Sequence, residues 1–251
     1  MKKPVHQADY DNFAWLYNQE WIEFPQNIFP LMKYLAGGNL PEGGEVLDLC
    51  CGTGQLAAVL LENGYKVTGV DISEGQLKYA RKNAPGARFV KADARAFKLK
   101  KKYDAVFCTF DALNHILKIE EIRQVFQRVG ACLKSGGVFI FDLNTEKEFK
   151  ANWIDNQNIT DKPGFFYVIR TVYDKEKRLG EFQITAFRKT AKSWVRTDTR
   201  VYETFYSRAS IAAALKKAGF KDIETFASNP REGISTPGKN ARRIFYRAMK
   251  E

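Results

Sequence analysis

The amino-acid sequence predicts an α/β fold, a doubly wound, seven-stranded, mostly parallel sheet with an inserted antiparallel β cover. Strand-like and helix-like segments alternate from residue 44 to residue 142, and a repeated strand–helix order predicts parallel strands joined by right-handed crossovers. Residues 138–142 are almost continuously apolar, which is typical of a central strand covered on both faces. From residue 165 to residue 206 the pattern changes to three alternating segments separated by polar turns, which predicts antiparallel strands.

The strongest local signal lies in residues 44–71, which have the pattern of a strand, a glycine turn, a helix and a second strand. Gly52 and Gly54 lack a Cβ, so each can adopt a positive φ and let a ligand lie against the backbone. Asp71 ends the second strand. A βαβ unit with these features is typical of a nucleoside-binding site.

The glycines and Asp71 alone fit either a nicotinamide cofactor or S-adenosylmethionine. Asp48 lies four residues before Gly52, at the end of the first strand. A carboxylate there would repel a pyrophosphate but would suit a ligand that carries an ammonium and a sulfonium group. The position of Asp48 therefore disfavours a nicotinamide oxidoreductase.

The segments VLDLCCGTG (46–54) and VTGVDIS (67–73) resemble motif I and the acidic second-strand end of class I S-adenosylmethionine-dependent methyltransferases, in their small-molecule branch. The resemblance implies a Rossmann-like sheet with an antiparallel last strand, S-adenosyl-L-methionine as cofactor and S-adenosyl-L-homocysteine as product. It implies that Asp71 holds the ribose hydroxyls and that Ile72 lies against the adenine. The cofactor-binding residues that it implies are Tyr10, Tyr17, Asp48, Cys50, Gly52, Thr53, Gly54, Asp71, Ile72, Asp93, Ala94, Cys108, Thr109 and Phe110.

Two further cofactor contacts follow from the same resemblance. Asp93 would accept a hydrogen bond from the adenine amino group, and the backbone of Ala94 would meet a ring nitrogen. An Asx-turn is the alternative role for Asp93. Backbone carbonyls at the end of the fourth strand, residues 103–108, would accept from the methionyl ammonium.

The N-terminal segment, residues 7–21, is predicted to be a helix in which Tyr10 and Tyr17 share one face. An aromatic stripe of this kind commonly packs on a core. The pattern Y-D-x-x-A-x-x-Y also resembles the N-terminal segment of small-molecule methyltransferases, in which this helix covers the cofactor. The resemblance implies that a tyrosine hydroxyl reaches the cofactor carboxylate.

The acceptor side is less clearly marked. The stretch FDALNHI (110–116) resembles the active-site wall of one small-molecule branch of the family, which makes His115 a candidate general base and Asn114 a candidate contact. Capping or packing is the alternative role for a lone histidine at the start of a helix. Candidate substrate residues are Asp111, Tyr202, Phe205 and Tyr206. The three aromatic residues could instead have a packing role.

These segments divide the chain into three parts. Residues 1–40 are predicted to form lid helices. Residues 41–144 and 207–251 are predicted to form the cofactor-binding core, and the insertion 145–206 is predicted to cover the substrate. An insertion after the fifth strand would hang over the carboxyl ends of the strands, where ligands bind in such sheets.

Composition limits the remaining possibilities. The four cysteines have no C-x-x-C spacing and the chain has only two histidines, so we expect no zinc site and reduced thiols in a cytoplasmic protein. We expect no membrane span, because no run of eighteen apolar residues occurs. The net charge of +11 makes a nucleic-acid partner possible, but no RNA-binding motif accompanies it. The sequence does not indicate an oligomeric state.

The predicted function is methyl transfer from S-adenosylmethionine to a nitrogen or oxygen of a small molecule by in-line displacement. An RNA or protein methyltransferase that uses the basic surface is the first alternative. A protein that binds the cofactor without turning it over is the second.

Overall fold

A central sheet covered by helices on both faces and a smaller antiparallel sheet make up the computed structural model, which describes residues 8–229 and 233–251. His6, Gln7 (the predicted helix start) and residues 230–232 of the predicted last loop lie outside the described residues. The helices within these ranges are α1 (Ala8–Glu20), α2 (Glu23–Ala36), α3 (Gln55–Glu62), α4 (Glu74–Asn83), α5 (Ile119–Cys132), α6 (Glu146–Asn152) and α7 (Arg208–Lys217).

The strands of the central sheet are β1 (Glu45–Leu49), β2 (Lys66–Asp71), β3 (Arg88–Lys91), β4 (Tyr103–Cys108), β5 (Leu133–Asn144), β10 (Phe220–Asn229), β11 (Gly233–Ser235) and β12 (Arg243–Lys250). Their order is β11-β10-β12-β5-β4-β1-β2-β3. Strands β1 to β5 are parallel, and β12 runs antiparallel to both of its neighbours. The predicted fold class is therefore confirmed, with the short β11 as an additional edge strand.

Both faces of the central sheet are apolar. Side chains alternate between the two faces along each strand. Leu47, Val106 and Phe139 face α5, whose apolar residues recur every three or four positions. Their neighbours Val46 and Ala105 pack on the other face against α2 and α3. This double covering explains why the parallel strands are almost entirely apolar.

The insertion forms an antiparallel sheet in the order β6-β7-β8-β9, with β6 (Asn156–Lys162), β7 (Phe165–Asp174), β8 (Leu179–Lys189) and β9 (Trp194–Glu203). The sequence predicted three of these strands. It missed β6 because the segment NQNITDK has no apolar alternation and is almost wholly exposed. The predicted fifth strand was also too short, since β5 already pairs at Leu133 with Tyr103.

Helix α1 lies between the two sheets. Phe13 and Leu16 of α1 pack against Ile169 and Ile184 on the inner face of the insertion. Glu20 closes the end of α1 by accepting from the Tyr167 hydroxyl at 2.7 Å. These contacts hold α1 in place so that it covers the carboxyl ends of the parallel strands. None of the described helices is long and apolar enough to span a membrane.

Candidate active site

A cavity of about 360 Å³ lies between the carboxyl ends of β1, β2 and β4, helix α1 and the inserted sheet. A cavity of this size falls within the usual range for small-molecule sites. The predicted site residues on its wall are Tyr10, Tyr17, Cys50, Gly52, Asp71, Ile72, Asp93, Ala94, Thr109, Phe110, Asp111 and His115. Its wall also contains residues that were not predicted, among them Arg95, Glu121, Asn144, Trp153, Phe182, Glu203 and Arg243.

The glycine turn after β1 forms one wall of this cavity. Gly52 has a φ of 53°, and its backbone N–H donates to Asp71 Oδ2 at 2.9 Å. The other carboxylate oxygen of Asp71 accepts from the backbone N–H of Ser73 at 2.9 Å. Asp71 therefore holds the turn after β1 and the turn after β2 in register while facing the cavity. Burial raises the pKa of its carboxyl, although these backbone hydrogen bonds oppose the shift.

Asp48 lies behind the glycine turn and does not reach the cavity wall. Its side chain is 2% exposed, and its Oδ2 has no hydrogen-bond partner among the described residues. Burial, with the charge of Asp71 as a second cause, raises the pKa of the Asp48 carboxyl to about 8. The carboxyl has a backbone hydrogen bond with Ala57, but ionising it while one oxygen is buried without a partner is costly. A cationic neighbour would favour the ionised form.

Three other predicted cofactor residues also lie behind the wall. Thr53 is fully buried and its hydroxyl donates to Gln55. Gly54 has a φ of 79°, and a Cβ there would come within 2.8 Å of Ala80 in α4. The buried thiol of Cys108 contacts that of Cys50. These residues shape the turn from behind.

Ion pairing occupies the end of the cavity near β3. The guanidinium of Arg95 donates to both carboxylate oxygens of Asp93, at distances of 2.6 to 3.0 Å, and also to Glu121 at 3.0 Å. The backbone N–H of Arg95 donates to Asp93 Oδ1 at 2.8 Å, which is an Asx-turn. Asp93 thus makes the local turn that was the alternative to a ligand role, and it remains on the cavity wall beside Ile72 and Ala94.

Helix α1 is docked on the N-terminus of α4 by Asp11. Its Oδ1 accepts from the backbone N–H of Gly75 at 2.7 Å and from the hydroxyl of Ser73. This contact places Tyr10 and Tyr17 over the cavity. Burial raises the pKa of both phenols well above the ordinary value, so both hydroxyls are neutral hydrogen-bond donors near pH 7.

The chain turns sharply after β4 in a conformation that L-residues rarely adopt. Phe110 has a φ of 63° and Asp111 a φ of 50°. Strain of this kind persists only where the surroundings fix it, and it concentrates at functional sites. Here the backbone N–H of Asp111 donates to Asp142 Oδ2 at 3.1 Å, and Arg243 donates to both carboxylates.

His115 has a defined tautomer in this site. Its Nδ1 lies 3.0 Å from the carbonyl oxygen of Tyr202, and because a carbonyl only accepts, Nδ1 carries the hydrogen. In the neutral ring Nε2 is then the acceptor, and the Tyr10 hydroxyl donates to it at 3.0 Å. Glu203 Oε1 lies 3.5 Å from the same nitrogen.

The remaining predicted acceptor residues lie outside the cavity wall. Asn114 is fully buried and its amide donates to the carbonyls of Asn144 and Thr204, at 3.0 and 2.7 Å. It therefore ties the end of β5 to the end of β9. The other three make contacts of different kinds. The carbonyl oxygen of Tyr202 accepts from His115, and the Phe205 ring packs against Phe149 and Trp153. The hydroxyl of Tyr206 donates to the carbonyl oxygen of Ile116.

Comparison with known proteins gives one consistent result. Residues 46–137 match a family model described as a methyltransferase domain. The putative methyltransferase YqeM of Bacillus subtilis (strain 168) is 24% identical over 245 residues, covering 96% of this chain and 97% of that protein. A crystal structure of an S-adenosylmethionine-dependent methyltransferase from Clostridium acetobutylicum ATCC 824 has a TM-score of 0.78 at 24% identity, covering 96% of this chain and 98% of that chain. These matches identify residues 46–137 as a methyltransferase domain, and the fold of the described residues is that of S-adenosylmethionine-dependent methyltransferases.

A further relative of this methyltransferase acts on an amino sugar. The dTDP-3-amino-3,4,6-trideoxy-alpha-D-glucopyranose N,N-dimethyltransferase of Streptomyces venezuelae is 30% identical over 139 residues, covering 55% of this chain and 57% of that protein. This match is limited to about half of each protein.

S-adenosylmethionine is the cofactor of this methyltransferase family, and the described residues fit it. A Cβ at Gly52 would point toward the Tyr17 ring at 3.4 Å, so the glycine leaves space for a ligand between the turn and α1. The buried carboxyl of Asp48, whose Oδ2 has no hydrogen-bond partner among the described residues, lies beneath that space. A cationic ligand would favour the ionised form of this carboxyl, whereas a pyrophosphate would disfavour it.

Proposed function

We propose that this protein transfers the methyl group of S-adenosylmethionine to a nitrogen or oxygen atom of a small molecule. The observation that carries the proposal is that one cavity is lined both by Asp71 and Ile72 and by His115 and Glu203. A cofactor and a small acceptor can therefore lie side by side in the same cavity. The amino-sugar N,N-dimethyltransferase among the relatives supports an acceptor of this size.

Within this proposal the cofactor is held at the glycine turn. Asp71 would accept from the ribose hydroxyls, Ile72 and Ala94 would line the adenine, and Tyr10 and Tyr17 would close the site from α1. When bound, the cofactor supplies a methyl group that is already activated on a sulfonium. The protein's own contribution is to hold the acceptor in line, and such orientation is worth about 7–11 kcal/mol.

His115 is the proposed proton acceptor. Its Nε2 carries the lone pair in the neutral tautomer, and the Tyr10 hydroxyl links it to the cavity. A proton released by the acceptor can pass to Nε2 through Tyr10. Such proton transfer typically contributes a factor of about 10²–10⁴ to the rate.

The direct test is a screen of amine, hydroxyl and thiol acceptors scored by the release of S-adenosylhomocysteine. We expect release with a small amine or alcohol, and a rate lower by about a hundredfold or more for His115→Gln, which is the lower end of the range for a lost general base. Calorimetry should detect S-adenosylhomocysteine binding and no NAD binding.

Two results would contradict the proposal. Cofactor binding without turnover of any acceptor would favour a non-catalytic binding protein. Turnover of RNA in place of small molecules, with an affinity that falls steeply with salt, would favour the basic surface as the substrate site.

A further inference from the structure

We propose that the methyl acceptor is a protonated amine whose ammonium group is held between the carboxyl groups of Asp111 and Glu203, an inference that rests on the proposed function and narrows it to nitrogen. Both residues lie on the wall of the cavity, at the end away from Asp93. One carboxylate oxygen of each residue and a ring nitrogen of His115 lie within 4.8 Å of one another.

The carboxyl pair is unusual because the two groups touch. The Glu203 side chain is 5% exposed, and its carboxyl is in hydrogen-bond contact with that of Asp111. Two carboxylates cannot remain ionised in contact unless a proton or a cation lies between them. The position therefore needs a positive charge whenever both groups are ionised.

Arg243 acts on Glu203 through its charge but forms its bonds to other carboxylates. Its guanidinium donates to Asp111 at 2.8 Å and also to Asp142, so one cation already serves two carboxylates. His115 lies 3.5 Å from Glu203 but is charged only when protonated. Burial, and after it the charge of Asp111, raises the pKa of the Glu203 carboxyl well above its ordinary value, and the charge of Arg243 only partly opposes this shift.

A third acceptor lies beside the pair. Asn144 lines the cavity and is 5% exposed, and its Oδ1 has no hydrogen-bond partner among the described residues. Its amide nitrogen approaches Glu203 Oε2 at 3.4 Å. An ammonium group has three N–H donors and no acceptor, so it can satisfy Asp111, Glu203 and Asn144 together. An alcohol has one donor and no charge, and would leave two of these oxygens unpaired.

A divalent metal ion fits the same atoms less well. The Arg243 guanidinium is already bonded to Asp111, and a charge of +2 beside it would be repelled more strongly than a charge of +1. The metal would also need Nε2 of His115, which already accepts from Tyr10.

Four groups face the carboxyl pair of Asp111 and Glu203. They are Tyr10 from α1, His115 after β4, Asn144 at the end of β5, and Arg243 of β12.

Tyr10 and His115 can take up the proton that the ammonium must lose before methyl transfer. The N–H that was bonded to Asn144 gives its proton to the Tyr10 oxygen as the Tyr10 hydroxyl proton passes to Nε2 of His115. This leaves a neutral amine with a lone pair, whose two remaining N–H groups stay on Asp111 and Glu203. That lone pair forms the new N–C bond as the C–S bond breaks, and the electron pair of the broken bond stays on sulfur. The methylated amine is again a cation, so it remains paired with Asp111 and Glu203 until it leaves.

The first experiment uses methylammonium as the minimal ligand and methanol as its neutral match. The chain has only two histidines, so the imidazole NMR signals of His115 can be assigned by comparison with His115→Gln. In protein saturated with S-adenosylhomocysteine, we expect methylammonium to shift the His115 signals saturably and methanol to leave them unchanged. Equal responses, or none to methylammonium, would overturn the inference.

The second experiment compares Glu203→Gln with Glu181→Gln, a control on the neighbouring strand β8 that lies outside the cavity wall. Glu203→Gln keeps the size of the side chain but removes its charge, so the methylammonium response should be lost while S-adenosylhomocysteine affinity stays within about threefold. The Glu181 variant should keep the response. A tenfold or larger loss of S-adenosylhomocysteine affinity in Glu203→Gln, about 1.4 kcal/mol, would assign Glu203 to the cofactor and overturn the inference.

Rates of acceptor methylation distinguish a failure of this inference from a failure of the proposed function. With benzylamine and benzyl alcohol, and other amine–alcohol pairs of equal shape, we expect methylation of amines at least tenfold faster than of alcohols. Preference for the alcohols would overturn the inference and leave the proposed function standing. Dependence on added Mg²⁺ or Mn²⁺ would also overturn it, in favour of a metal site. Turnover of no acceptor would remove the proposed function itself.

Discussion

The guanidinium of Arg243 donates to the carboxylate of Asp111 at 2.8 Å, across 132 positions of sequence. Arg243 pairs with Asn144 at the carboxyl end of β5, whereas Asp111 lies in the left-handed turn after β4. The same guanidinium bonds to the fully buried Asp142 and lies 5.5 Å from the centre of the Phe24 ring. One side chain from the last strand therefore fixes the turn that forms the acceptor end of the cavity.

Removing this guanidinium should destabilise the fold strongly. Arg243→Met leaves the fully buried carboxylate of Asp142 and the partly buried one of Asp111 without their cation, and breaking a buried ion pair on one side costs about 3–5 kcal/mol. Urea unfolding monitored by circular dichroism measures the loss. The control is Arg196→Met, which breaks an exposed pair with Asp198 and should cost less than about 1 kcal/mol. Similar losses in the two variants would contradict the role assigned to Arg243.

Asp71 carries the second prediction. Asp71→Ala should weaken S-adenosylmethionine binding at least tenfold, because hydrogen bonds to a charged group contribute about 1.5–3 kcal/mol each and the carboxylate also holds the turn at Gly52. Calorimetry measures the affinity, and circular dichroism checks that the fold is retained. Asp161→Ala, on the exposed strand β6, should bind as the wild type does. Unchanged affinity in Asp71→Ala would remove the ribose assignment.

The cofactor end of the site could be predicted because its signals are local in sequence. Gly52 and Asp71 are joined by one βαβ unit, and the requirements of that turn are visible in the residue types alone. The cofactor contact predicted for Asp48 stays a prediction, because its carboxyl lies beneath the turn and not on the cavity wall, where it accepts a hydrogen bond from the backbone of Ala57 in α3.

The acceptor end could not be predicted in the same way. Glu203 and Arg243 come from β9 and β12, which contact the turn after β4 only through the folded sheets. Their segments look like ordinary charged strand ends in the sequence. The touching carboxyls of Asp111 and Glu203 are separated by 92 positions, so only the three-dimensional arrangement identifies them. The same limit applies to Asn114, whose buried amide joins the ends of β5 and β9.

Asp48 gives a stability prediction with a defined pH dependence. Its pKa of about 8 in the folded chain exceeds the unfolded value near 3.9, so folding is unaffected below pH of about 4 and loses stability as the pH rises toward 8. Asp48→Asn cannot ionise and should escape this loss. The free energy of unfolding, measured with urea and without cofactor, should be higher for Asp48→Asn than for the wild type. This difference should be at least about 1 kcal/mol larger at pH 8 than at pH 5.

A constant difference between the two proteins across this pH range would contradict the assigned pKa. Asp161→Asn is the matched control, because its carboxyl is exposed on β6, and its stability should follow that of the wild type. The same Asp48→Asn variant should bind S-adenosylmethionine more weakly, since it no longer places a negative charge beneath the cationic ligand. Higher stability with weaker binding is the expected pattern for a strained functional residue.

The docking of α1 gives the last prediction. Gly75 lies in the first turn of α4, and a Cβ there would come within 2.7 Å of the Asp11 backbone. Gly75→Ala should favour α4 itself, because alanine is preferred to glycine in a helix by about 1 kcal/mol, but it should push α1 away. We expect faster amide hydrogen exchange across α1 and at least tenfold weaker S-adenosylmethionine binding, about 1.4 kcal/mol, as Tyr10 and Tyr17 leave the cavity. Gly86→Ala is the control for this variant. Its new methyl group would meet only the Leu61 side chain, at 3.5 Å, so hydrogen exchange and cofactor binding should match the wild type. If Gly75→Ala binds the cofactor normally while α1 exchanges faster, then α1 is not the lid of the cofactor site.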